Sequence, residues 1–184
     1  MEQQTLPSYW PSVMVGALII GLILSVLGIV SQYMLISSEP VGSSFTLPQA
    51  IQTFSCLAGA IGGFFAVRHY ATENEITFPI GKGAVIGFFT GMMGVIFSTV
   101  ISLVWQFVID PELDDAVYEW AIRNLEVQNL PQQQMDMAMN FIPEPGSITT
   151  LLWGIGFGIV VLGVLNLLSG IIGAKVFAKE EDEF

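Results

Sequence analysis

Proton relay or thiolate chemistry needs a histidine or a cysteine with partners, and this sequence holds one of each, His69 and Cys56. His69 lies between Arg68 and Tyr70, on the side opposite most acidic groups, so no Ser/His/Asp or Cys/His set can assemble on their side. It reads as a flank at lipid-headgroup level, and the chain reads as no enzyme. Cys56 sits in an apolar run, where a thiol packs as a small hydrophobe, and a lone cysteine forms no intrachain disulfide. The run Met135, Asp136, Met137, Ala138, Met139 offers soft thioether sulfurs of the kind that bind monovalent copper. On a helix, however, residues 135 and 139 share a face and 137 points nearly opposite, which favours flexible apolar packing over a metal. Asp110, Glu112, Asp114 and Asp115 lack the glycine and closing glutamate of a calcium loop. They read as a solvated face where acidic groups suit a helix N-terminus. Gly81, Lys82 and Gly83 are not followed by the Ser or Thr of a phosphate loop. The expectation is no catalytic residue, no cofactor and no metal. A net charge of -11 argues against nucleic acid as a partner.

The elements that would position any such chemistry are four long apolar stretches, at about 12–36, 47–67, 83–109 and 148–176. Each is close to the ~20 residues that cross ~30 Å of hydrocarbon as a helix. A mean hydropathy of +0.68 with 11% charged residues leaves an apolar surplus that must face lipid. The fold expected is therefore an all-α integral membrane protein, a four-helix transmembrane bundle in one domain spanning 1–184, with an amphipathic helical outer segment at 110–147. The leader before the first stretch has no Lys or Arg and contains Glu2, and the stretch exceeds the ~7–15 residues of a secretory signal core. The first stretch is expected to stay as a membrane helix.

Lys and Arg near membrane spans are retained on the cytoplasmic side. Arg68 and Lys82 flank the connection at 68–82, Lys175 and Lys179 follow the fourth span, and only Arg123 falls on the opposite face. Both termini, the 68–82 loop and the acidic tail at 177–184 are accordingly expected in the cytoplasm, with 37–46 and 110–147 outside. Glu180 to Glu183 read as a solubilising terminus. Tyr9, Trp10 and Tyr70 fit an inner aromatic belt, and Tyr33, Trp105 and Trp153 an outer one.

Within the spans, small residues recur every fourth position: Ser55, Gly59, Gly63 in the second, and both Gly83, Gly87, Gly91 and Gly94, Ser98, Ser102 in the third. Gly21 with Ser25, and Gly154 with Gly158, repeat the spacing in the first and fourth. Such rows let backbones approach closely, and they predict that spans two and three pack against each other. Charged groups at membrane depth usually mark transport paths, and none occurs here. Asn166 is the most expensive neutral polar group and the best candidate for an interhelical hydrogen bond. Gly59, Gly63, Gly87, Gly91 and Asn166 are thus the candidate packing or polar-contact residues. A small transporter with a neutral path along Asn166, Thr90 and Ser102 is the alternative reading.

The outer segment reads as two helices. Asp110 before Pro111 gives a start signal, with Leu113, Val117, Trp120 and Ala121 on one apolar face and Glu119 paired with Arg123 four residues on. Asn129 and Gln132 resemble a capping box opening a second helix that ends before Pro143 and Pro145.

A basic residue ending the second span, Ile76–Thr77–Phe78 in the short polar stretch, the glycine-bearing third span, Pro111–Glu112 just beyond it and the Gln/Met-rich outer helix resemble one family over nearly the whole chain. It is the bacterial membrane proteins grouped as domain of unknown function 4199. Val67, Arg68, His69 and Tyr70 depart from the basic-aromatic-Arg-Asp type sequence common in that family. The resemblance implies a four-helix protein of a Gram-negative inner membrane and supplies no activity or catalytic residues. The functional expectation is contact with the lipid bilayer, a second copy of itself or another membrane protein.

Overall fold

The computed structural model describes residues 6–42 and 46–177, and among these there are helices and no strands. Four helical segments are long and apolar enough to cross a membrane: Trp10–Ile36, Leu47–Asn74, Ile80–Ile109 and Ile148–Phe177. Lys179 and Glu180 to Glu183 lie outside the described residues.

Helix α1 (Trp10–Ile36) begins with Pro11 in its first turn, where the missing N–H costs nothing and the ring presets φ. The second span is two helices, α2 (Leu47–Gly59) and α3 (Gly62–Asn74), broken at Ala60–Ile61. The Thr46 N–H donates to Gln49 Oε1 at 2.8 Å and so caps α2. Helix α3 ends only where Glu75 turns left-handed at φ 50°. The loop expected at 68–82 is therefore shorter, leaving 75–79 as the only non-helical link, because Tyr70 and Ala71 are buried beyond Arg68 and helical packing continues past the charge. Helix α4 (Ile80–Val104) runs into a π-helical turn at Trp105–Ile109, which Pro111 terminates. Two short helices, α5 (Leu113–Glu126) and α6 (Gln132–Met139), precede the last span, α7 (Ile148–Phe177).

Around the bundle the spans follow the order α1, α4, α7, α2/α3. The α4–α7 interface is the most extensive, followed by α1–α4, and then α3–α7 and α1–α2. Gly63 of span two and the Gly83, Gly87, Gly91 row of span three thus turn to span four rather than to each other, Gly94 faces α1, and α3 meets α4 less extensively. Periodicity shows that a row is flat and leaves open which neighbour fills it. Large apolar side chains such as Leu22, Phe54, Val100, Phe157 and Leu168 point outward, while Gly, Ser, Thr and Asn occupy much of the interior. This polarity suits a lipid surround, where close backbone packing holds helices together.

At one end, Val13, Ala66, Val67, Tyr70, Ala71, Phe78, Ile86 and Ala174 form a buried cluster. Phe78 meets the Tyr70 ring edge-on at 5.2 Å, and Tyr70 donates its hydroxyl to the Pro7 carbonyl at 2.9 Å. Lys82 Nζ stands 4.3 Å from the Tyr9 ring centroid at this same end, and the Arg68 guanidinium lies 6.0 Å from that of Phe177.

At the other end, α5 caps the bundle. Its buried stripe is Leu113, Trp120 and Asn124, with Val117 and Ala121 half-buried beside it. Trp120 Nε1 donates to the Ser38 carbonyl at 2.8 Å, and Asn124 Oδ1 accepts from the Val41 and Gly42 N–H groups at 3.2 and 2.9 Å. The two loops expected outside are thereby tied together. Asp110 does not cap α5 as expected; its carboxylate accepts the Tyr33 hydroxyl at 2.5 Å, and Tyr33 in turn accepts Trp105 Nε1 at 3.2 Å. Glu112 is the N-terminal flank of α5 instead. The capping box expected at Asn129 is absent because Asn129 turns left-handed at φ 50°, and Pro131 leads into α6. Arg123 Nε reaches the backbone carbonyl of Glu119 at 3.4 Å, in place of the side-chain pair expected.

Trp120→Phe keeps the ring and deletes its donor. It is expected to lower stability by about 1 kcal/mol and to speed proteolytic cleavage at the α5–α6 connection, as seen on a protease time course.

Candidate functional site

The five residues singled out from the sequence meet around one turn of α7. Asn166 is fully buried, and its carboxamide makes three hydrogen bonds. Oδ1 accepts from the Gly63 N–H at 2.6 Å, and Nδ2 donates to the carbonyls of Gly59 at 3.0 Å and Leu162 at 2.9 Å. In an unbroken helix the Gly63 N–H would bond the Gly59 carbonyl directly, since the two are four residues apart. The Asn166 amide stands between them and completes the bond that the break at Ala60–Ile61 opens. A helix can be broken at membrane depth only if the freed backbone groups find such partners. Ser169 Oγ donates to the Asn166 carbonyl at 3.1 Å and steadies the same turn.

The glycines admit this approach. A β-carbon at Gly63 would lie 2.7 Å from Ser169 Oγ, one at Gly87 would lie 2.9 Å from the Asn166 carbonyl carbon, and one at Gly91 would lie 2.7 Å from that of Leu162. All three would also overlap α7 carbonyl oxygens. Gly59 differs: a β-carbon there would meet only side-chain ends, those of Leu24 at 3.1 Å and Leu162 at 3.3 Å. Farther along, Gly83 and Gly170 face each other across α4 and α7 with the same backbone closeness.

The three neutral groups of the transport reading do not converge on a cavity. Thr90 is fully buried and donates to the Ile86 carbonyl at 2.8 Å, and Asn166 is sealed in the node just described. Ser102 alone of the three opens on a groove, about 220 Å³ in volume, that runs between α4 and α7 past Ser98, Gln106 and Gly154.

Ser12 Oγ and His69 Nδ1 lie 2.9 Å apart, a hydroxyl–imidazole bond tying α1 to α3. No carboxylate among the described residues bonds the other ring nitrogen. The Met135–Met139 run forms much of α6, with Met137 and Met139 exposed. The contacts of Asn124, the Tyr33–Asp110 bond and the Ser12–His69 bond were not foreseen, since each joins residues distant in the chain. Only Asn124 left a trace, four residues from Trp120 on the stripe that α5 buries.

No curated protein and no solved structure matches the chain. A family model described as protein of unknown function (DUF4199) matches residues 16–177, from within α1 to the last residue of α7. That range covers the Asn166 node, the glycine rows and the whole outer cap, so this chain belongs to the DUF4199 family.

Proposed function

We propose that this protein is a non-enzymatic, multi-pass protein of a bacterial inner membrane, with both termini in the cytoplasm, that acts by presenting its outer cap for contact with lipid or another membrane protein, including a second copy of itself. The observation that carries this reading is α6. It contributes no buried residue to the fold, yet Met137, Met139 and the following Phe141 stand exposed beyond the spans, Phe141 at 88%. Apolar groups held out by a helix that the core does not need have the character of a contact surface. The internally bonded node at Asn166 supports the same reading, because it makes the bundle a rigid support for the cap.

The orientation is supported by basic residues: Arg68, Lys82 and Lys175 gather at the end opposite α5 and α6. In a Cys56→Ser background, a cysteine at Gln133 is expected to react with an impermeant thiol reagent on intact spheroplasts, and one at Glu73 only after lysis. Reversed labelling overturns the orientation. A photo-crosslinking residue at Met137 or Phe141 is expected to capture lipid or protein in native membranes. Recovery of nothing but uncrosslinked monomer from both positions refutes the contact function.

A further inference from the structure

Beside the cap lies a second feature that the contact surface of α6 does not use. A cavity of about 700 Å³ opens between the π-helical end of the third span, α5 and the turn leading into α7. Its volume falls within the ~300–1,000 Å³ typical of sites for small organic ligands. Asp114 builds its wall: one carboxylate oxygen accepts Gln106 Nε2 at 3.3 Å and the other accepts the Gly146 N–H at 3.2 Å, joining all three segments. Phe107, Tyr118 and Leu151 contribute apolar lining. Asp115 and Glu144 also line it, and neither carboxylate has a hydrogen bond or ion pair among the described residues.

These features select a ligand. Phe107 is 75% exposed where the third span ends, so the cavity mouth lies at the level where hydrocarbon gives way to headgroups. A ligand entering there needs an apolar body. Two carboxylates without partners beside a third that is already engaged call for a cation on that body. The His, Cys, Asp and Glu side chains among the described residues form no group of three able to hold a metal ion, which favours a single organic cation over an inorganic one. A second copy of the chain is a poor donor, since Arg123 is the only cation in residues 37–46 and 110–147.

We infer that this cavity binds a cationic amphiphile: a protonated amine, placed between Asp115 and Glu144, on an apolar chain lying against Phe107 and Leu151. The site does not depend on the contact function assigned to α6. The probe is a twelve-carbon primary alkylamine carrying a diazirine, applied to the full-length protein in phosphatidylcholine nanodiscs. Labelling is expected on the peptides around Phe107 and Leu151, displaced by dodecylammonium and not by dodecyl sulfate. Asp115→Asn with Glu144→Gln is expected to reduce it roughly tenfold, the loss of about 1.4 kcal/mol of charge-assisted bonding. Both residues are exposed, so folding is retained, and an unchanged melting temperature checks this. Introducing phosphatidylethanolamine separates two sources of the same chemistry. Loss of labelling supports the site with a membrane lipid as its ligand, and persistence supports it with a free amine. Labelling spread evenly over lipid-facing positions such as Leu22 and Leu168, equal displacement by dodecyl sulfate, or full labelling of the double variant overturns the inference.

Discussion

Asn166→Leu is expected to lower the unfolding free energy of the detergent-solubilised protein by about 2 kcal/mol, and its melting temperature by roughly 4–8 °C for a chain of this size. Leucine has a similar volume but neither donates nor accepts, so all three carboxamide bonds vanish while the packing volume is kept. Two responses are open to the chain. The break can persist, leaving the Gly63 N–H and the Gly59 carbonyl buried without partners, each at about 1–3 kcal/mol. Alternatively α2 can swing until those two groups bond directly, which straightens the span and pulls α2 off α1. Both responses cost stability. The expected loss stays below the sum for two orphaned groups because an unfolded helix in a membrane finds other partners. Asn166→Asp keeps an acceptor for Gly63 but loses the donors to Gly59 and Leu162 and buries a charge, so it is expected to fare worse than leucine. Hydrogen exchange at the Gly63 amide separates this account from a simple packing defect: if the break persists in the leucine variant, that amide exchanges faster, and if the span closes, it stays protected while the α1–α2 contact loosens. A leucine variant that melts within a degree of the native protein, with native exchange at Gly63, would show that the node does not hold the broken span.

Asn166 also marks how far the sequence could be read. Its cost at membrane depth was legible from residue type and position alone, and so were the glycine rows, since both follow from local chemistry and a four-residue spacing. The four spans were equally plain, because length and apolar content decide them. What Asn166 bonds was hidden, because the break at Ala60–Ile61 contains no proline and Gly59 and Gly63 look there like two more members of a packing row. The direction of the rows was hidden for a related reason: Gly63 and Gly87 both face the Asn166 turn of α7, and the spacing within each span is the same whichever neighbour receives it. In the outer cap, Leu113 and Trp120 were legible through helical periodicity. Asp110 misled because a capping aspartate and one that accepts a distant tyrosine have the same local sequence, and Tyr33 lies 77 positions away. The cavity lined by Asp115 and Glu144 needs the α7-leading turn folded back on α5, a juxtaposition that no local pattern records.

Gly87→Ala and Gly156→Ala add the same methyl group to two membrane helices and are expected to shift stability in opposite directions. At Gly87 the space is already occupied by α7 backbone, with the Asn166 carbonyl carbon 2.9 Å and the Gly170 Cα 3.1 Å from the new atom. Backbone cannot rotate aside as the end of a side chain can, so α4 and α7 must separate and lose dispersion contacts along the most extensive interface of the bundle. Overpacking of this kind costs about 1–3 kcal/mol. At Gly156 no atom beyond its own turn of helix lies within 4 Å of the new atom, and alanine gains the helix propensity that glycine lacks, about 0.5–1 kcal/mol. Gly59→Ala should fall between them, because only leucine side-chain ends need give way. Melting temperatures in one detergent test the ranking, with Gly156→Ala highest, Gly59→Ala intermediate and Gly87→Ala lowest. Equal shifts at Gly87 and Gly156 would refute the backbone contact. The ranking also bears on the bundle interior: a row filled by α7 backbone has no room for a ligand or a partner helix.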